Sequence, residues 1–258
     1  KVILIDIASM RRTKTLSLLL HLIICIVGAS AEYNSRESDA WPGTGEWLAL
    51  ARSLSTQAQL YGPFESFDYE TQCSLMVNNP FILATTGEGI CMQYPACANK
   101  FCLEGAEWND LPAYALMAKE ELDIVKGIQF ASKHNIQVTV KSSGHSYTGS
   151  STARDSLLIW LAHYPKDNEI LEGYQDSCGN VEDQVIGINA GQNFQSIAEE
   201  VGDAYHFVSA SEPTVSVSGG WVLGNGLSYT SRHYGLGVDN VVDFRVILPS
   251  GLMTKADR

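Results

Sequence analysis

The stretch that most constrains this chain is Val140-Lys141-Ser142-Ser143-Gly144-His145-Ser146-Tyr147-Thr148-Gly149. A β-rich run, Gln137 to Val140, ends there in a loop of small residues that closes around one histidine. Gly, Ser and Thr leave backbone N–H groups uncovered, and a loop of this kind can cradle a pyrophosphate. His145 then sits beside whatever carries that phosphate. The other reading of His145 is a histidine satisfied by local hydrogen bonds within a turn.

A second stretch lies further along the chain. It reads Ser211-Glu212-Pro213-Thr214-Val215-Ser216-Val217-Ser218-Gly219-Gly220-Trp221-Val222-Leu223-Gly224-Asn225-Gly226-Leu227-Ser228 and continues through Arg232-His233-Tyr234-Gly235 to Asp239-Asn240-Val241. Together the two stretches resemble the PCMH-type FAD-binding domain of the p-cresol methylhydroxylase/vanillyl-alcohol oxidase superfamily, in its berberine-bridge-enzyme-like branch. In that family a loop of this first type carries the histidine bonded to the flavin 8α carbon. A Pro-Thr-Val stretch followed by paired glycines forms the rest of the cradle.

The resemblance implies FAD as cofactor, with His145 as the candidate for covalent attachment. A non-covalent flavin contact is the alternative for that residue. Ser142, Ser143, Gly144, Ser146 and Gly149 match the first phosphate loop. Pro213, Thr214, Val215, Ser218, Gly219 and Gly220 match the second, as do Gly224 and Gly226, for which a plain turn is the alternative. Asp239, Asn240 and Val241 match the segment that runs alongside the nucleotide. Glu212 departs from the pattern. Members attached at two points carry a cysteine there, so this chain is expected to attach FAD through one residue at most, and Glu212 is given no role. Trp221 also replaces the residue that often follows the paired glycines.

The order of elements suggests an α+β domain. Lys119 to His134 reads as a helix, with Leu122, Val125, Ile128, Gln129 and Ser132 marking its stripe, and Asn135 as its stop. Gln137 to Lys141, Ser156 to Leu161, Val185 to Asn189 and Ala204 to Val208 read as strands, and Gln195 to Val201 as a helix. Val241 to Leu248 and Leu252 to Lys255 flank Pro249-Ser250-Gly251 as a hairpin. By resemblance, 111–258 is a partial FAD-binding domain of two α/β subdomains, incomplete at its C-terminus. A separate substrate domain carrying the catalytic base would lie beyond it.

Ahead of it, 32–110 is a cysteine-bearing extension interrupted by Gly62-Pro63, Asn79-Pro80 and Tyr94-Pro95, with one helix predicted over Trp47 to Leu60. Residues 1–31 comprise a few upstream residues and then a signal peptide from Met10 to Ala31. It has the basic Arg11, Arg12 and Lys14, an apolar run Leu16 to Val27, and Ala29-Ser30-Ala31. A membrane anchor is the alternative, but the run falls short of the roughly 20 residues a spanning helix needs. The chain is therefore expected to be secreted, where disulfides among Cys73, Cys91, Cys97 and Cys102 are favoured, with their pairing open. Cys178 is left without a disulfide partner among these, or pairs with a cysteine beyond Arg258.

Composition serves mainly to exclude. The formal charge of −12 over 258 residues argues against nucleic acid, whose binding needs a basic face, and against an anionic membrane. His134, His163, His206 and His233 lack metal-ligand spacing, so no metal is expected. No G-x-G-x-x-G opens a helix after a strand, which disfavours a Rossmann fold. The function expected by resemblance is a secreted FAD-dependent oxidoreductase. It would take a hydride from an alcohol, carbohydrate or amine-type small molecule, with dioxygen as acceptor, although a dehydrogenase carries the same loops. The alternative is a truncated, non-catalytic secreted module that keeps the FAD fold for binding.

Overall fold

The computed structural model describes residues 33–63, 112–146, 150, 151, 153–165, 168–176, 178–202 and 205–257. The predicted signal peptide, Cys73, Cys91, Cys97, Cys102 and Gly149 lie outside the described residues. A four-stranded sheet, in the order β1-β2-β4-β3, forms the first half of the fold. Its strands are β1 (Gln59–Tyr61), β2 (Tyr114–Met117), β3 (Val138–Lys141) and β4 (Leu157–Trp160). β2, β4 and β3 run parallel, and β1 adds antiparallel at the edge. Helix α2 (Glu121–Lys133) connects β2 to β3, the crossover that parallel strands require.

Parallel strands are covered on both faces and read as continuous apolar runs, as the LLIW of β4 does, buried at all four positions. The main core joins Leu116, Leu157 and Ile159 to Ile124, Val125, Ile128 and Ala131 of α2. Val125 and Ile128 of the predicted stripe are buried, but Ile124 and Ala131 complete it, and Leu122 is 52% exposed. Asn135, with φ of 52°, takes the left-handed stop expected of it.

Helix α1 (Thr44–Ser53) packs on the same core through Trp47, whose ring stacks on Tyr114 at 3.7 Å. The predicted helix over Trp47 to Leu60 is corrected here: it ends at Ser53, and Gln59–Tyr61 is strand β1. Asp123 supplies the physical reason. Its buried carboxylate accepts the Ser55 N–H at 2.7 Å and the Ser55 hydroxyl at 2.8 Å, while also accepting the N–H groups of Lys119 and Glu120. A long-range capture of the backbone at Ser55 outcompetes local helix propensity.

The second half is built from two antiparallel hairpins and a helix. β5 (Glu169–Gln175) pairs with β6 (Val181–Gly187), and β7 (Asp243–Ile247) pairs with β8 (Met253–Asp257). Helix α3 (Phe194–Val201) lies between them in sequence, and its Phe194, Ile197 and Val201 join Ile188, Val217, Val222 and Val241 in a second core. Lys255 Nζ ties the hairpins together, 2.9 Å from Asp243 Oδ2 and 2.8 Å from Tyr174 Oη, and the Tyr174 hydroxyl also donates to Asp243. Residues 205–208 form no strand, against the prediction for Ala204 to Val208, whose first residue is outside the described set. No helix among the described residues is long and apolar enough to cross a membrane.

Candidate functional site

The first loop leaves the carboxyl end of β3, the end at which open parallel sheets place their ligands. Pairing stops after Lys141, whose carbonyl accepts Leu161 N–H at 2.8 Å. Gly144, at φ of 93°, turns the chain back so that Ser146 N–H reaches the Gly144 carbonyl at 2.8 Å. The Ser146 hydroxyl accepts Ser150 N–H at 3.0 Å. This turn presents His145 at the head of the loop.

The second loop, 212–219, is held from behind by the start of α3. Phe194 N–H donates to Val215 O at 3.1 Å, Gln195 N–H to Pro213 O at 2.9 Å, and Val217 N–H to Gln192 O at 3.1 Å. Asn193 caps the helix through Ser196 N–H at 2.9 Å. Pro213 and Val215 therefore serve the site through their carbonyls.

The two loops meet. Ser216 N–H donates to Ser143 Oγ at 3.0 Å, and His145 Nε2 lies 2.7 Å from Thr214 Oγ1. A side-chain carbon at Gly219 would come within 2.9 Å of Ser142 Oγ and 3.7 Å of Ser216 Oγ, so any side chain there would push Ser142 aside. Thr214 in turn donates its hydroxyl to Glu212 Oε1 at 2.7 Å. The hydroxyl and the N–H of Thr214 hold the Glu212 carboxyl below its usual range, and His145 adds to this. Burial pushes the His145 imidazole down, against the pull of Glu212. A neutral imidazole faces an ionised carboxylate through one hydroxyl.

The hydroxyls of Ser216 and Ser218 are buried and have no hydrogen-bond partner among the described residues. Such groups cost free energy unless something satisfies them. Ser216 stands with Ser142 and Gly219 at one seam, and Ser218 adjoins Gly219 in sequence, an arrangement that fits the phosphate oxygens of a dinucleotide. The residues present therefore fit FAD.

Other predicted residues take different places. Gly220 has open space where a side chain would be. Gly224 N–H closes a helical turn on Gly220 O at 2.8 Å. Gly226, at φ of 72°, lets Gly237 and the Trp221 ring approach: a side-chain carbon there would sit 2.7 Å from Gly237 Cα. Trp221 fills this gap and meets the Phe194 ring edge-on at 4.8 Å. Asp239 Oδ2 accepts Leu236 N–H at 2.8 Å, and the Asn240 amide donates to the carbonyls of Tyr234 and Leu236. Val241 is buried in the second core.

Sequence reasoning passed over three residues. Ser216 carries a link between the loops, and its position in Thr214-Val215-Ser216-Val217-Ser218, small polar alternating with apolar, was the available signal. Glu212 reaches His145 through Thr214, which only the fold reveals. Lys141, the residue before the cradle, is buried, and burial lowers its amine to about 7. Among the described residues no cluster of three His, Cys, Asp or Glu side chains forms a place for a metal ion.

Two Gly/Ser loops converging at the carboxyl end of a parallel sheet define a cradle for a dinucleotide cofactor. The family model described as "FAD binding domain" matches residues 112–257, more than half of the chain, and the chain belongs to that family. It is 30% identical over 221 residues to the FAD-linked oxidoreductase phmC of Phaeosphaeria nodorum, a match covering 80% of this chain and 48% of that one. With the FAD-linked oxidoreductase ffsJ of Aspergillus flavipes it shares 35% identity over 144 residues, covering 55% of this chain and 23% of the relative.

Among solved structures, the VAO-type flavoprotein MtVAO615 from Myceliophthora thermophila C1 superposes with a TM-score of 0.66 at 22% identity, over 87% of this chain and 44% of that one. A berberine bridge enzyme variant gives 0.58 at 20% identity, over 83% and 37%. These structural likenesses show the fold. The chain spans less than half the length of each of these relatives.

Proposed function

We propose that this chain is the FAD-holding part of a secreted oxidoreductase that takes a hydride from a C–H bond beside a hydroxyl or amine. The substrate class is an alcohol, carbohydrate or amine-type small molecule, and the acceptor is dioxygen. One observation carries the reading. Two loops far apart in sequence are locked together by Ser143–Ser216 and His145–Thr214, leaving the buried hydroxyls of Ser216 and Ser218 to be satisfied.

Bound FAD supplies the two-electron chemistry; the protein supplies position and electrostatics. Ser142, Ser143, Ser216, Ser218 and Gly219 would hold its phosphates through hydroxyls and uncovered backbone. His145 is the attachment residue, and its neutral imidazole is the form that can act as a nucleophile. With FAD bound, His145 would be the residue that joins the flavin 8α carbon, the imidazole hydrogen and one methyl hydrogen leaving to dioxygen. Glu212 leaves no thiol for a second link.

Secretion rests on the Met10–Ala31 segment and is tested by the N-terminus of protein collected from the medium, expected at Glu32. The catalytic proposal is tested anaerobically with a panel of alcohols, carbohydrates and amines. A substrate should bleach the visible flavin absorbance, and air should restore it with peroxide release. Purified protein devoid of flavin that takes up none from solution would sink the proposal and favour a non-catalytic binding module.

A further inference from the structure

Thr214 has one hydroxyl hydrogen and two neighbours that compete for it. Its Oγ1 lies 2.7 Å from Glu212 Oε1 and 2.7 Å from His145 Nε2. An ionised carboxylate only accepts, so the hydrogen goes to Glu212. Oγ1 is then an acceptor toward the imidazole, and Nε2 must bring its own hydrogen. One further contact and burial fix the geometry. Thr214 N–H also donates to Glu212 Oε1 at 3.2 Å, and Thr214 is buried with 3% exposure. Among the described residues, Thr214 is the hydrogen-bond partner of the His145 ring.

We infer that Glu212 is a positioning residue for His145, acting through Thr214 to hold the imidazole as the Nε2–H tautomer with its lone pair on Nδ1. The inference rests on the reading of His145 as the attachment residue, and it names the nitrogen that is free to attach. In a neutral ring one nitrogen donates and the other carries the lone pair, so the partner of one decides the role of the other. Glu212 is exposed at the surface while its effect is delivered to a half-buried ring. Removing the carboxylate frees the Thr214 hydroxyl to donate to Nε2, which sends the ring hydrogen to Nδ1 and removes the nucleophilic lone pair from that atom.

The test uses the full chain prepared without FAD and labelled with nitrogen-15 in its histidine rings, studied by NMR at mildly alkaline pH. His145 signals are identified by their loss in His145→Gln. The wild type should show the Nε2–H tautomer. Glu212→Ala should shift population toward Nδ1–H, adding Thr214→Val to Glu212→Ala should remove that shift, and Thr214→Ser alone should keep the wild-type pattern. FAD is then added and the mass gain followed under denaturing conditions. Glu212→Ala should gain the FAD mass at least tenfold more slowly than wild type, with non-covalent flavin binding retained.

An unchanged tautomer in Glu212→Ala, or Nδ1–H in the wild type, overturns the inference. A shifted tautomer with wild-type attachment rate overturns the assigned purpose. A shifted tautomer with no mass gain in any form, wild type included, leaves the positioning intact and removes the attachment reading instead.

Discussion

Ser143 Oγ accepts the backbone N–H of Ser216 at 3.0 Å, and this bond fastens the loop after β3 to the loop in front of α3. One half of the fold grows from a parallel sheet and the other from two hairpins, so the cradle exists only where they touch. Ser143→Ala leaves the Ser216 N–H without its partner, which costs about 1–3 kcal/mol for a buried donor. Thermal unfolding should shift down accordingly. FAD affinity should fall about tenfold, the equivalent of about 1.4 kcal/mol, as read by quenching of flavin fluorescence. Unchanged affinity would show that the loops keep their places without this bond.

Gly219→Ala puts a methyl group 2.9 Å from Ser142 Oγ. Ser142 must rotate away, and its hydroxyl leaves the seam it shares with Ser216. FAD affinity should fall by more than tenfold while the unfolding midpoint moves little, because the clash is with one rotatable side chain. A large loss of stability at unchanged affinity would place Gly219 in the scaffold.

Lys141 lies inside the fold with its amine at about 7, against an ordinary 10.5. Between those two values the unfolded chain holds a proton that the folded chain does not. Stability therefore rises with pH across that interval, and this contribution is lost as pH falls toward 7. Lys141→Met should flatten the slope. The stability gained between neutral and alkaline pH should be smaller in the variant than in the wild type. Denaturant titrations at neutral and alkaline pH check both.

His145 gives a second pH dependence on the acid side. Burial lowers its imidazole below the ordinary 6.5. The unfolded chain takes up a proton first, so the contribution is full above 6.5 and lost as pH falls through the folded value. His145→Gln should be less sensitive to acid between neutral and mildly acidic pH. An identical acid profile in the variant would show that the ring is solvated.

Two of the four strands of the first sheet were legible as short continuous apolar or β-branched runs: Val138–Lys141 and Leu157–Trp160 fall within the predicted segments, whereas β2, Tyr114–Met117, was not predicted. β1 was not, since Leu54 and Ala58 keep helical spacing and the break is imposed by Asp123, 68 positions away from Ser55. β5 was missed for a different reason. Its sequence EILEGYQ is mostly exposed and shows no clean alternation, and it is a strand because β6 pairs with it.

The site divides in the same way. The first loop announces itself through His145 and its small neighbours. By contrast, the Glu212–Thr214–His145 chain joins residues whose nearness is a product of the whole fold. Gly226 and Asn240, singled out by pattern, organise the 226–241 segment around Trp221 and its own carbonyls.

The most direct measurement of the central claim is intact mass under denaturing conditions, for the wild type and for His145→Ala, each produced with FAD present. The account predicts a gain of one FAD mass in the wild type and none in the variant. An unmodified wild-type mass, with yellow flavin released on denaturation, would contradict attachment and leave His145 as a contact. An unmodified mass with no flavin released would contradict the account as a whole.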